Sequence, residues 1–228
     1  MAPEALDYDD TWLVIPLYNE AAVVGDVIRD ARGAFQNIVC VDDGSSDESA
    51  RIAREAGATV VQHPFNLGQG AALQTGIEFA ASQPGMKYLV TFDADGQHRV
   101  ADAAAMVDQA RADDVAIIFG TRFAEGDSPV GWSKRIVLKT AALVTRWRTG
   151  LNLTDAHNGL RLLRRDAAQS VELIQDRMAH ASEIVSQLSR SGLPWAERPV
   201  TIDYTDYSKA KGQSLLNSVN ILVDLVMR

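Results

Sequence analysis

Cysteine is almost missing from this sequence: Cys40 is the only one in 228 residues. No intrachain disulfide can form, which fits a reducing compartment. Cys40 lies in the apolar run NIVCV and reads as a small core residue rather than a nucleophile. Long apolar runs are missing too. No stretch reaches the roughly 18 uninterrupted apolar residues of a membrane span. The opening MAPEALDYDD is acidic and lacks the apolar core of a secretory leader. Positive charge is in deficit, with 22 Lys and Arg against 30 Asp and Glu and a net charge of −8. That balance argues against nucleic acid as a partner. Repeats, low-complexity tracts and a clear linker are all absent, so the expectation is one domain over residues 1–228.

What remains is the composition of an ordinary soluble protein, 46% hydrophobic and 23% charged, long enough to bury a full core. The charge is uneven. Residues 122–165 hold nine of the 22 basic residues, but only Glu125, Asp127 and Asp155 as acids. A local cationic region in an acidic chain suits a small anionic ligand; a solvated helix face would look the same.

The first half alternates short apolar runs with amphipathic stretches. Strands are expected at 11–16, 37–41, 58–62, 86–92 and 115–119. Helices are expected at 20–32, 47–56, 70–81 and 100–111. Such β-α-β units build an α/β fold around a mainly parallel sheet flanked by helices. Ligands bind at the carboxyl ends of its strands. The second half is less regular. Helices are expected at 133–148 and 179–190, a strand at 160–163, extended chain at 195–202 and a polar loop at 203–213. Residues 214–228 read as an amphipathic helix carrying Leu215, Leu216, Val219, Leu222, Val223 and Val226.

Four motifs follow the strands. FDADGQH (92–98) comes after the strand that ends at Phe92. Residues two apart in extended chain face the same way, so Asp93 and Asp95 can aim both carboxylates at one point. Two carboxylates with open positions suit Mg2+ or Mn2+, whose shell phosphate oxygens can complete, and Gln97 could add a neutral oxygen. The plainer reading is an acidic turn capping a helix. VDDGSSD (41–47) places Asp42 and Asp43 at the same sheet edge, able to accept from a base N–H or a ribose hydroxyl. Its Ser45, Ser46 and Asp47 are good helix caps. IPLYNE (15–20) offers Pro16 at a strand end, Tyr18 for stacking and Glu20 opening a helix. NLGQGAALQTG (66–76) allows close backbone approach through Gly68 and Gly70, and a helix N-terminus can hold negative charge. It is not a phosphate loop of the GxxxxGK type. No GxGxxG follows the first strand, which counts against a dinucleotide dehydrogenase.

These motifs in this order resemble family 2 glycosyltransferases of the GT-A fold, a Rossmann-like α/β architecture. They resemble more closely the dolichyl- and polyprenyl-phosphate sugar synthases. The resemblance continues through GTRF (120–123), DAHNGLRLLRR (155–165), the helix around Glu183 and YSKAKGQS (207–214). It implies an inverting, metal-dependent transfer of a sugar from a UDP- or GDP-sugar to a polyprenyl or dolichyl phosphate. On the donor side it implies Pro16, Tyr18, Glu20, Asp42 and Asp43 around the nucleoside, with Gly68, Gly70 and Ala94 nearby. It implies Asp93, Asp95 and Gln97 on a Mg2+ or Mn2+ ion, and Arg161 and Lys211 on donor phosphate. Arg122 and Arg135 would meet the acceptor phosphate, to which a planar guanidinium is suited. Asp155 or Glu183 would orient the acceptor or serve as a base; Glu183 could equally be a plain helix residue. Arg164 and Arg165 read as a surface strand edge.

Two departures stand out. Gln69 replaces the Lys or Arg that many relatives carry in the glycine-rich loop. Many lipid-phosphate synthases add transmembrane helices. Here residues 214–228 are the expected contact with a membrane surface or a membrane-protein partner, unless they pack on the core. The expected location is the cytoplasm, peripheral at the inner face of the cell membrane. The competing readings are a soluble glycosyltransferase extending a cell-envelope glycan on a hydroxyl, a nucleotide-binding module without catalysis, and a nucleotidyltransferase. IPLYNE lacks the glycine-rich basic turn that the last would open with.

Overall fold

In the computed structural model the structure describes residues 8–122, 151, 153–155, 158–174 and 179–203. The expected helices at 133–148 and 214–228, and the 203–213 loop beyond Asp203, lie outside them. In chain order the elements are β1 (Thr11–Leu17), α1 (Val24–Ala31), β2 (Asn37–Asp42), α2 (Ser49–Glu55), β3 (Thr59–Gln62), α3 (Gln69–Ser82) and β4 (Tyr88–Thr91). Then follow α4 (Val100–Asp113), β5 (Ile117–Thr121), β6 (Arg161–Arg164), α5 (Arg165–Gln169), α6 (Ala179–Arg190) and β7 (Trp195–Pro199).

The seven strands form one sheet in the order β3-β2-β1-β4-β6-β5-β7. All pairs are parallel except those of β6, which runs antiparallel to both neighbours. Strand alternation divides the core into two layers. Leu13, Ile15, Cys40, Val90 and Ile118 pack with Ile28 of α1, Ala53 of α2 and Met106 of α4. Val14, Val39, Leu89, Ile117 and Phe119 pack on the other face with Leu73 of α3, Ala167 of α5 and Val185 of α6. Helix α3 lies so close to β1 that a Cβ at Gly76 would be 2.4 Å from Val14 Cγ1. Cys40 is fully buried, as expected, and burial pushes its thiol up to about 12.

The structure corrects three expectations. Helix α1 begins at Val24, not Glu20, because residues 21–23 form a turn whose Val23 and Val24 N–H groups both donate to the Glu20 carbonyl (3.0 Å each). Helix α5 was not expected, its five residues being too few to show a period. Arg164 and Arg165 are not at a strand edge, since β6 lies between β4 and β5. Arg164 pairs with Asp166 and Asp114, and Arg165 donates to the carbonyls of Ala81 and Gln83.

Candidate active site

Strands β1, β2, β4 and β5 end at one edge of the sheet, and antiparallel β6 begins there, with Arg161 opposite Thr91 and Phe119. The β1–α1 and β2–α2 loops are stitched together at this edge. Asn19 takes a positive φ of 53° and accepts from the Ser46 N–H at 2.9 Å. Ser45 Oγ accepts from the Asn19 N–H (2.9 Å), and Ser49 Oγ from the Glu20 N–H (2.8 Å). Asp47 accepts from the Ala21 N–H at 3.2 Å. Asp47 also accepts from the N–H of Ser49, the first residue of α2, at 3.0 Å, so it serves the helix start as well as the first loop, whereas Ser45 and Ser46 bond across to Asn19. All three hold the first loop.

Asp42 and Asp43 divide in role. Asp43 is buried and saturated by the protein. It accepts from the N–H groups of Leu67 (2.9 Å) and Gly68 (2.8 Å) and from His63 Nδ1 (2.8 Å), while His63 Nε2 meets Thr75 Oγ1 (3.0 Å). It therefore shapes the glycine-rich loop, where Gly68 adopts a φ of 97° that a side chain would resist. Buried Asp42 has one oxygen near Gln62 Nε2 (3.3 Å). Its Oδ1 has no partner among the described residues, the condition of a group kept for a ligand or a water. Tyr18 is 47% exposed beside these loops, and Pro16 is half-buried in β1.

Beyond β4, His98 Nε2 lies 2.9 Å from Asp93 Oδ2, and the Gln97 N–H donates to Asp95 Oδ1 at 3.0 Å. Burial pushes the Asp93 carboxyl up, but the His98 bond and the nearby charges of His98 and Arg161 outweigh it and hold Asp93 below the usual range. Burial and then the charge of Asp93 raise Asp95, against the Gln97 bond. Ala94 between them is buried, and Gly70 is buried in the first turn of α3. Gly159 packs on this pair so tightly that a Cβ there would lie 2.5 Å from Asp93 Oδ2.

These residues fit a divalent cation. The second carboxylate is strained by the first, and a cation would relieve that repulsion. Among the described residues no cluster of three or more His, Cys, Asp or Glu forms a closed metal cage. Two carboxylates with the remaining positions left to phosphate and water match the habit of Mg2+.

Cations line the same edge. Arg161 is wholly buried, and burial pulls it down to about 10, against the charges of Asp93 and Asp155. Arg122 grips Asp155 through Nε (2.6 Å) and Nη2 (2.7 Å), and its own N–H adds a third bond at 3.2 Å. Glu183 on α6 accepts from the Ile174 N–H (3.2 Å) and stands beside Gln187. Arg135, His157 and Lys211 lie outside the described residues.

The model of the family described as glycosyl transferase family 2 matches residues 12–171, spanning every loop above but not Glu183 on α6. The chain belongs to glycosyl transferase family 2. One relative is the UDP-N-acetylglucosamine–dolichyl-phosphate N-acetylglucosaminyltransferase of Methanococcus voltae, 28% identical over 95% of this chain and 94% of that one. Another is the polyprenol monophosphomannose synthase of Mycolicibacterium smegmatis, 30% identical over 72% of this chain and 64% of that one. Among solved structures, the glucosyl-3-phosphoglycerate synthase of Mycobacterium tuberculosis with Mg2+ and uridine diphosphate superimposes with a TM-score of 0.68. It is 18% identical and covers 95% of this chain and 78% of that one. That likeness establishes the GT-A fold.

The sequence motifs of this glycosyltransferase contained several residues whose work was not read from them. His98 lay inside FDADGQH, and Gly159 inside DAHNGLR. Thr75 lay inside NLGQGAALQTG, whereas His63 lay in no motif, and the link of both to Asp43 exists only once β3 pairs with β2.

Proposed function

We propose that the chain is an inverting, metal-dependent glycosyltransferase that moves a sugar from a UDP- or GDP-sugar to a polyprenyl or dolichyl phosphate. One observation carries the acceptor: both candidate bases are engaged. Asp155 has both oxygens on Arg122, and Glu183 receives the Ile174 N–H. A hydroxyl acceptor needs a base, whereas a phosphate is already an anion and attacks without one. Two relatives named for lipid-phosphate products point the same way.

In this reading a phosphate oxygen of the acceptor bonds to the anomeric carbon as the bond to the nucleoside diphosphate breaks on the opposite face. The protein aligns the two partners. Asp42, with Pro16, Tyr18 and Glu20, borders the nucleoside, and Asp43 sets the loop that carries Gly68 and Gly70. Asp155 orients Arg122 toward the acceptor phosphate, with Arg135 alongside, while Arg161 and Lys211 offset donor phosphate charge. Asp93 and Asp95, with Gln97, would hold a Mg2+ or Mn2+ ion that stabilises charge on the departing diphosphate.

Among the described residues no helix is long and apolar enough to cross a membrane. The reading places membrane contact in residues 214–228. Deleting them should weaken vesicle association, and unchanged association would remove that role.

The test is a donor panel. Purified protein, Mn2+ and a short polyprenyl phosphate are incubated with UDP- and GDP-sugars, N-acetylglucosamine and mannose included, and lipids are read by mass spectrometry. A glycosylated lipid phosphate is expected from one donor. Metal-dependent nucleotide binding without a lipid product would overturn the phosphate acceptor and favour a hydroxyl.

A further inference from the structure

Four residues that follow β7 close on the metal motif. The Val200 N–H donates to the Thr121 carbonyl at 2.9 Å, and the Thr201 N–H donates to the Asp102 carboxylate at 2.8 Å. Ile202 pairs with His98 in an antiparallel bridge, and the Asp203 N–H donates to the Gln97 carbonyl at 2.9 Å. Arg99 then holds the Asp203 carboxylate with Nε at 2.7 Å and Nη2 at 2.6 Å.

The residues gripped in this way are those that touch the acidic pair. Gln97 offers its carbonyl to Asp203 and its N–H to Asp95. His98 is paired to Ile202 through its backbone and to Asp93 through its ring. Two neighbouring like charges repel unless something fixes them, and partners behind a ligand govern how well a metal is held. We propose that residues 200–203 form a brace that presets the Asp93 and Asp95 carboxylates for a divalent cation, with Arg99 and Asp203 as its positioning residues. The proposal rests on the metal reading above. The Arg99–Asp203 pair is about half exposed, so the fold does not depend on it. Position 99 precedes α4, where aspartate is a favourable helix cap.

The experiment uses the full chain with Arg99→Asp, Asp203→Arg and the double swap. Hydrogen exchange over residues 93–99 is read without metal, and transfer is titrated with Mn2+. Each single variant should exchange about threefold faster there and need about tenfold more Mn2+, with kcat at saturating Mn2+ little changed. The swap should restore both. Unchanged exchange in the single variants overturns the brace. Faster exchange with an unchanged Mn2+ requirement overturns its action on the metal pair. Wild-type transfer that survives a chelator overturns the metal reading and the proposal with it, and the exchange data then report separately whether the brace exists.

Discussion

An alanine at position 159 would put its Cβ 2.5 Å from Asp93 Oδ2 and 3.1 Å from both Oδ1 and Cγ. Ordinary contact would need a shift of about 0.9 Å. The backbone is poorly placed to supply it. The Gly159 carbonyl accepts from Thr91 Oγ1 at 2.6 Å, the Arg161 N–H donates to the same hydroxyl at 3.2 Å, and Asn158 Oδ1 holds the Leu160 N–H at 2.9 Å. The Asp93 carboxylate must therefore turn, and it leaves His98. Overpacking of this kind costs roughly 1–3 kcal/mol, which a domain of this size survives. Misplacing by about 1 Å a group that positions the reactants costs on the order of 100-fold in rate. Gly159→Ala should thus melt a few degrees lower, lose about 100-fold in transfer and need about tenfold more Mn2+. Thermal melts and Mn2+ titrations of lipid-linked product are the assays. A folded variant with wild-type rate and metal requirement would refute the reading that Gly159 packs on a metal-holding Asp93.

Asp95→Asn should abolish transfer with the melt unchanged or raised, because a carboxyl lifted by burial and by Asp93 is removed; activity like wild type, or indifference to a chelator, would count against the metal role. His63→Ala should leave Asp43 one partner short and raise the donor KM roughly tenfold with a smaller change in kcat, while an unchanged KM would separate that loop from the donor. Asp10 bridges Lys87 (3.2 Å) and Arg111 (2.6 Å). Burial lifts its carboxyl, but those bonds outweigh it and hold it below the usual range. Its stabilisation is therefore present above the unfolded carboxylate pKa and is lost as pH falls through the folded one. Asp10→Asn should cost about 0.5–1 kcal/mol near neutral pH, with the gap to wild type closing in acid; a gap that stays constant down to acid would refute the assignment.

The alternation of apolar runs and amphipathic stretches was enough to place the strands and helices of the first half. Their ends were less legible. A capping-type residue such as Asp47 looks the same whether it bonds only to its own helix or, as here, to the Ser49 N–H of that helix and also to the Ala21 N–H of a neighbouring loop. The acidic pair was legible because strand geometry aims residues two apart in one direction. The insertion of β6 against the sheet direction was not, since a strand of four residues, RLLR, carries no sign of its orientation.

Local spacing by itself determined the sheet type, the edge where the candidate site gathers and the pairing of the carboxylates Asp93 and Asp95, while the family came from the resemblance of the motifs taken together. Those features are properties of short windows, within which chain geometry is nearly fixed. Only the tertiary structure decided which carboxylate is saturated and which is left with an open oxygen. Asp42 and Asp43 are adjacent and chemically identical, yet one side chain enters the β3–α3 loop and meets His63, Leu67 and Gly68 while the other keeps Oδ1 without a partner among the described residues. Adjacent strand residues point to opposite faces, and what waits on each face is supplied by residues 20 to 25 positions away in the chain.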